Sequence, residues 1–203
     1  MRVWVPVTGD GGAGRRHGRG AAGGWRLGTA DRLSEFLSRY FRGCSLKNLC
    51  RVGGKVVLVT GGSRGGGEMI GRGYVENGAK VYISSRKADV CDRVADELSE
   101  YGTCISLPFD LGGMAGIEGL ANAIKERESR LDVLVNNAGA TWGAPIDEYP
   151  EDGWDKTVDL NVKSIFFLTQ KLLPLLRAAS TAENPGRVIN IASVNGIEPS
   201  TLE

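Results

Sequence analysis

The stretch Val56-Val-Leu-Val-Thr-Gly-Gly-Ser-Arg-Gly-Gly-Gly67 sets a short apolar run directly before a glycine-rich turn. Residues 56–59 are continuously apolar and mostly β-branched, which is typical of a strand buried on both faces of a parallel sheet. Glycines after such a strand permit a tight turn and let backbone N–H groups approach a ligand closely. A helical pattern begins near Gly67, and its positive dipole end would point at the same place. The stretch predicts a pyrophosphate-binding turn, although a glycine-rich turn can also simply end a strand.

Strand and helix patterns alternate from Lys55 to the last residues of the chain. We expect strands at 55–60, 80–84, 104–108, 131–136 and 187–191, and helices at 67–77, 88–100, 114–128 and 151–178. Parallel strands joined by helix-length segments form right-handed crossovers, with helices on both faces of the sheet. The pattern predicts an α/β fold with a Rossmann-type doubly wound parallel sheet.

The charge of this 203-residue chain is unevenly distributed, although its formal net charge is only +1. Residues 1–50 carry nine Arg or Lys and three Asp or Glu, whereas residues 51–203 have a net charge of −5. We expect 1–50 to be a disordered Gly/Arg-rich tail with one short amphipathic helix near residues 31–43. No aromatic residue interrupts its Gly/Arg core, so we expect no nucleic-acid partner. The second predicted domain is the sheet, at 51–203.

Composition argues against several other classes of protein. The four cysteines form no C-x-x-C pair and the only histidine is His17, so we expect no metal site. No apolar run is long enough to span a bilayer, and no secretory segment is apparent. These features favour a reducing, cytoplasmic setting.

Polar residues follow the predicted strands, where a doubly wound sheet binds its ligands. Ser85 and Arg86 follow the second strand at the place where an NAD site normally offers an acid, and Arg64 lies in the glycine turn. Two guanidinium groups suit a 2′-phosphate, so NADP is the predicted cofactor and NAD is less favoured. Either arginine could instead be a solvated surface charge.

Further candidates follow the third and fourth strands. Asp110, next to Leu111, could accept a hydrogen bond from an adenine amino group or could cap the next turn. Ala138 and Gly139 are small enough for a flat cofactor to approach the backbone after Asn137.

Two further candidates lie elsewhere. One follows the fifth predicted strand, and the other lies in the longest predicted helix. Ser193 follows the fifth strand, where an isolated Ser is usually a cap or turn residue. Asn161 lies between Leu160 and Val162 in a helical pattern, where its amide could interrupt the helical hydrogen bonds or be a satisfied core amide.

Taken together, these motifs resemble the short-chain dehydrogenase/reductase family in their order and spacing. They are T-G-G-S-R-G-G-G at 60–67, D-L at 110–111, N-N-A-G at 136–139, the Asn of 159–162 and the Ser of 191–193. The resemblance begins near Lys55 and runs to the last residue, and the segment 137–145 looks similar to the 3-oxoacyl-(acyl-carrier-protein) reductase-like branch.

The resemblance implies hydride transfer from NADPH to a small-molecule carbonyl substrate, in a protein compatible with a homo-oligomer. By the resemblance Ser193 would orient the carbonyl and Asn161 would hold a water in a proton relay. The implied cofactor-binding residues are Gly61, Ser63, Arg64, Gly65, Gly66, Gly67, Ser85, Arg86, Asp110, Leu111, Asn137, Ala138 and Gly139.

One family feature is missing from the sequence. The Tyr-x-x-x-Lys pair of the family should lie about a dozen residues beyond Ser193, whereas the sequence ends ten residues after it. We therefore expect a truncated, inactive reductase whose sheet is incomplete on the C-terminal side, with 188–191 as an apolar edge strand. The alternative is a dinucleotide-binding module without catalytic activity.

Overall fold

Strand β1 (Val56–Thr60) lies at the centre of a five-stranded sheet in the computed structural model, which describes residues 51–182 and 184–193. The other strands are β2 (Lys80–Ser84), β3 (Thr103–Ser106), β4 (Val133–Asn136) and β5 (Arg187–Asn190). Their order is β3-β2-β1-β4-β5, and every neighbouring pair is parallel. The predicted doubly wound parallel sheet is confirmed.

Helices cover the crossovers between the strands. They are α1 (Gly65–Glu76), α2 (Ala88–Ser99), α3 (Met114–Arg127), α4 (Glu151–Val158) and α5 (Ser164–Ala179), with a short 3₁₀ turn at Ile146–Glu148. The prediction of one continuous helix over 151–178 is wrong, because a π-helical turn at Asp159–Lys163 separates α4 from α5. A π turn holds one extra residue, so the helical phase shifts across it while each flanking helix keeps its own helical spacing. The helix predicted near 31–43 lies outside the described residues.

The apolar side chains of the strands divide between two cores, one on each face of the sheet. Leu58, Tyr82 and Leu134 pack with residues of α3 and α5, whereas Val57 and Ile83 pack with residues of α1 and α2. Successive side chains of a strand point to opposite faces, so a continuously apolar strand supplies both cores. All five residues of β1 are buried.

Strand β5 is much less covered than β1. Within the described residues it pairs only with β4, and all four of its residues are exposed. Val188, Ile189 and Ile191 keep 42%, 37% and 45% of their surface. Among residues 51–182 and 184–193, β5 is thus an edge strand with apolar residues, as predicted. An apolar groove of about 550 Å³ lies between it and α1, and its lining includes Met69, Ile70, Tyr74, Val135, Ile189 and Ile191.

A polar cluster fastens the opposite end of β2 to the end of α3. The Glu128 carboxylate lies 2.6 Å from the Lys80 ammonium and accepts a 2.6 Å hydrogen bond from the Tyr82 hydroxyl. Burial opposes ionisation of Glu128, but the hydrogen bonds from Lys80 and Tyr82 outweigh it and lower its pKa. The same contact with Glu128 raises the pKa of Lys80.

Candidate functional site

The order of the strands reverses beside β1, because β2 and β3 lie on one side of it and β4 and β5 on the other. In doubly wound sheets the ligand crevice lies outside the carboxyl ends of the strands at such a reversal. Two adjoining grooves occupy this place. The first groove has a volume of about 360 Å³ and the second about 510 Å³, and both are lined by Ala138, Gly139 and Ala140.

The turn between β1 and α1 is closed by contacts that only glycine permits. Gly61 has a φ of +65°, in the left-handed region that favours glycine. A Cβ at Gly67 would overlap the carbonyl oxygen of Gly61 and would lie 2.5 Å from the Asn137 amide nitrogen. That amide donates to the Thr60 carbonyl at 3.0 Å and to the Gly61 carbonyl at 3.3 Å. Asn137 therefore holds the turn from the end of β4.

The hydroxyl of Thr60 joins the same two strands and was missed by sequence reasoning. This buried oxygen accepts hydrogen bonds from the backbone N–H groups of Asn137 and Ala138, each at 3.0 Å. It donates to the Val135 carbonyl at 3.3 Å. The available signal was its position as the last polar residue of a buried strand. The ends of β1 and β4 are thereby locked together at the floor of the crevice.

The first groove brings together most of the predicted residues that carry charge. Arg64, Arg86 and Asp110 line it, and Leu111 contributes a buried apolar wall. Asp110 accepts a 3.0 Å hydrogen bond from the Gly112 N–H, so the capping alternative is observed, and its contact with an adenine stays a prediction. The groove also contains Lys156 of α4, which the sequence did not single out. Three cationic residues and one carboxylate give the lining an excess of positive charge.

The second groove contains the two candidate catalytic residues. Ser193 and Asn161 line it, together with Asn137 and Asn190. Asn161 lies in the π turn and pairs with Ala140 of the loop after β4: its oxygen accepts from the Ala140 N–H and its nitrogen donates to the Ala140 carbonyl, both at 2.8 Å. The satisfied-amide alternative is thus observed, and the water-holding role stays a prediction. The pairing fixes a residue that lines both grooves.

Six of the predicted cofactor-binding residues line neither groove. They are Gly61, Ser63, Gly65, Gly66, Gly67 and Ser85. The Ser85 hydroxyl donates to the Lys87 carbonyl at 3.3 Å, and the Ser85 carbonyl accepts from the Phe109 N–H at 3.1 Å. Ser85 therefore shapes the turn after β2, and its role toward a cofactor remains a prediction.

Other chemistries find little support within residues 51–182 and 184–193. This part of the chain has no group of three or more His, Cys, Asp or Glu that could hold a metal ion. Burial raises the pKa of the Cys104 thiol to about 12, and the neighbouring Cys91 adds to the shift, so Cys104 is no nucleophile at neutral pH. None of the helices described here is long and apolar enough to cross a membrane.

Similarity to known proteins supports the geometry of the crevice. Residues 55–203 match the family model of the short chain dehydrogenases. A rhamnolipids biosynthesis 3-oxoacyl-[acyl-carrier-protein] reductase of Pseudomonas aeruginosa is 54% identical over 144 residues, which are 71% of this chain and 56% of that protein. The chain thus spans little more than half the length of this curated relative.

Solved structures agree with this match. An NADP active-site complex of RhlG from Pseudomonas aeruginosa superposes with a TM-score of 0.70 at 52% identity, covering 74% of this chain and 58% of that one. A metagenomic short-chain oxidoreductase in complex with NADP gives a TM-score of 0.68 at 33% identity, covering 74% and 67% of the two chains. With its glycine turn and paired strand ends at the crevice, the chain belongs to the short-chain dehydrogenase family.

Proposed function

We propose that the chain is the cofactor-binding part of an NADP(H)-dependent reductase that converts a carbonyl to an alcohol by hydride transfer. One observation carries the proposal: two adjoining grooves run along the carboxyl ends of the strands, with Arg64 and Arg86 in one, and Asn161 and Ser193 in the other. A dinucleotide that bridged the grooves would lie with its phosphates near the arginines and its reactive ring near the serine. The Pseudomonas aeruginosa relative favours a 3-oxoacyl thioester or a similar ketone as substrate.

The first groove fits the anionic end of such a cofactor. The first N–H groups of any helix lack an intrahelical acceptor, and the N-cap residue Arg64 supplies no side-chain cap to α1. Nothing lies within 4 Å of the Cβ position of Gly65, so the start of this helix is open to a phosphate. Arg64 and Arg86 would pair with a 2′-phosphate, and residues 85–88, directly after β2, contain no acid to bind a free ribose hydroxyl.

The second groove fits a carbonyl beside the reactive ring. When bound, the cofactor supplies the hydride, and the protein supplies position and electrostatics. The Ser193 hydroxyl would donate a hydrogen bond to the carbonyl oxygen and orient it. Asn161 holds Ala140 through two 2.8 Å hydrogen bonds, which keeps the strip shared by the grooves in place.

The proton of the reaction needs a further residue. The ten residues after Ser193 contain neither tyrosine nor lysine. A general acid contributes about 10²–10⁴ in rate. We therefore propose that these 203 residues bind the cofactor without turnover, which also keeps the alternative of a non-catalytic dinucleotide-binding module.

Titration calorimetry on the 203-residue chain tests the binding step. We expect saturable binding of NADPH that is tighter than that of NADH, and about tenfold weaker NADPH binding after Arg86→Ala. Arg93→Ala is the matched control, since Arg93 is exposed on α2 and faces Glu97 at 3.7 Å. Unchanged NADPH affinity in Arg86→Ala would contradict the 2′-phosphate role. If the chain bound neither NADPH nor NADH at millimolar nucleotide concentration, the proposed function would be overturned.

A chain extension tests the catalytic step. The chain is extended with a segment that supplies the Tyr-x-x-x-Lys pair of the family, and NADPH oxidation is followed with a 3-oxoacyl thioester. We expect oxidation by the extended chain and none above background by the 203 residues alone. An extended chain that binds NADPH but oxidises none would leave only the binding module.

A further inference from the structure

Lys156 is a cationic residue of the first groove that no motif accounts for. It lies on α4 and lines the groove together with Arg64 and Arg86. Its ammonium group is 5.0 Å from the centre of the Trp142 ring, a distance at which a cation is attracted to the face of an indole. Within the described residues, no carboxylate lies within ion-pairing distance of Lys156. Its charge is therefore not neutralised by an ion pair there.

The Trp142 ring is itself held in a fixed place. Gly153 precedes Lys156 by three residues on α4, so both lie on the same face of the helix. A Cβ at Gly153 would lie 2.8 Å from three ring atoms of Trp142, which shows that the indole packs directly on the helix backbone. Asn161 anchors the same loop at Ala140. The loop after β4 thus contacts α4 at Trp142 and the π turn at Ala140, and the Lys156 ammonium group lies beside its indole ring.

We propose that Lys156, positioned by Trp142, is a specificity-determining residue that favours NADPH over NADH. The inference rests on the proposed function. A dinucleotide in the first groove would lie in a space lined by the two arginines, by Lys156 and by Leu160. The Lys156 cation attracts every phosphate of such a ligand, and the 2′-phosphate of NADPH adds about two negative charges to those of NADH.

The size of the effect follows from screened electrostatics. Lys156 is exposed, so water and salt weaken its field over a Debye length of about 8 Å at physiological ionic strength. Removing its charge should weaken NADPH binding about three- to tenfold and NADH binding by less than about twofold. The ratio of the two affinities should therefore fall.

Calorimetry with both nucleotides on four forms of the full chain tests this role. They are the wild type, Lys156→Gln, which removes the charge, Lys156→Arg, which keeps it, and Lys125→Gln, a control at an exposed lysine in the last turn of α3. We expect a lower NADPH preference in Lys156→Gln only, with wild-type values in the other two variants. The difference between Lys156→Gln and the wild type should shrink as NaCl is raised from 50 to 500 mM.

Three other outcomes would contradict a role for the charge of Lys156 in NADPH preference. Equal losses in Lys156→Gln and Lys156→Arg would mean that Lys156 acts through packing on Trp142, which refutes a role for its charge. Wild-type selectivity in Lys156→Gln, with Arg86→Ala still weakening NADPH binding, would refute the inference and leave the proposed function intact. Failure of the wild-type chain to bind either nucleotide would refute both.

Discussion

The first and fifth strands of the sheet are both rich in β-branched residues, yet they lie in opposite surroundings. All five residues of β1 are buried between two neighbouring strands and two layers of helices. All four residues of β5 are exposed, and β4 is the only strand beside it within the described residues. Val188 and Ile189 of β5 are thus exposed, whereas the valines of β1 belong to the core.

The ends of β1 and β4 are held together by contacts within the described residues, whereas the apolar side chains of β5 are exposed. The polar groups at the carboxyl ends of β1 and β4 satisfy one another through Thr60 and Asn137. The apolar side chains of β5 and the groove beside α1 have no such partners among the described residues. We expect a large loss in the free energy of unfolding where a substitution breaks the packing at the carboxyl ends of β1 and β4. We expect only a small loss where a side chain of β5 is removed.

The largest expected effect is on the turn after β1. Gly67→Ala forces a Cβ against the Gly61 carbonyl oxygen, so we expect a loss of about 3 kcal/mol or more in the free energy of unfolding. NADPH binding should be lost as well. Gly73→Ala is the control on the same helix, because nothing lies within 4 Å of its Cβ position, and it should stabilise the chain by up to about 1 kcal/mol. Urea unfolding followed by circular dichroism measures both, and equal stability of the two variants would contradict the packing of the turn.

The next effect compares one buried and one exposed side chain directly. Leu134 of β4 is fully buried, and Leu134→Ala should cost about 2–5 kcal/mol. Ile189 of β5 keeps 37% of its surface, and Ile189→Ala should cost no more than about 1 kcal/mol. The measurement is the midpoint of urea unfolding. A loss of stability in Ile189→Ala as large as that in Leu134→Ala would mean that β5 is covered in solution. The strands would then not differ in burial.

A smaller effect is expected in the π turn, where Asn161 lines the second groove together with residues that follow β4 and with Asn190 of β5. Asn161→Ala removes both hydrogen bonds to Ala140, which should cost about 1–3 kcal/mol and loosen the strip shared by the grooves. Asn122→Ala on the exposed face of α3 is the control, with an expected change within about 0.5 kcal/mol. Weaker NADPH binding in Asn161→Ala alone would sharpen the comparison. Identical behaviour of the two variants in unfolding and in calorimetry would argue against a role for the π turn.

The smallest effect concerns the polar cluster at the opposite end of β2. Glu128→Gln removes a carboxylate that accepts from Tyr82 and Lys80, so we expect a loss of about 1 kcal/mol at pH 7. The pKa of Glu128 is lowered in the folded chain, so its stabilisation is present above its ordinary value of about 4.3 and is lost as the pH falls through the lowered pKa. Urea midpoints of both forms should therefore converge as the pH is lowered from 7 toward 3. A difference that grew toward low pH would contradict this sign.

The fold was more predictable from the sequence than the site. Alternating apolar runs and helical patterns depend on local spacing, so five parallel strands were predicted to within a few residues of their bounds. Arg64, Arg86 and Asp110 were also predicted at the crevice, because the carboxyl ends of parallel strands meet at one edge.

Two of the missed features depend on contacts between separate parts of the chain. The Thr60 hydroxyl bonds to backbone groups 77 and 78 residues away, which no local pattern encodes. In the sequence, Lys156 has the features of any solvated lysine of a helix. Its contact with the Trp142 ring is visible only in the structure. The π turn at Asp159–Lys163 is a local irregularity, and an interruption of the helical hydrogen bonds at Asn161 was one of the two alternatives offered by the sequence.

The central place of β1 has a consequence for biosynthesis. Its second neighbour arrives late, since Val56 pairs with the Asp132 carboxylate 76 residues further along the chain. At a translation rate of about 5–20 residues per second, one edge of β1 therefore stays open for roughly 4–15 seconds after it leaves the ribosome. Long-range parallel pairing is slow in any case. Among the described strands, the one that is best protected in the finished sheet is thus the one that waits longest for its second neighbour in the nascent polypeptide.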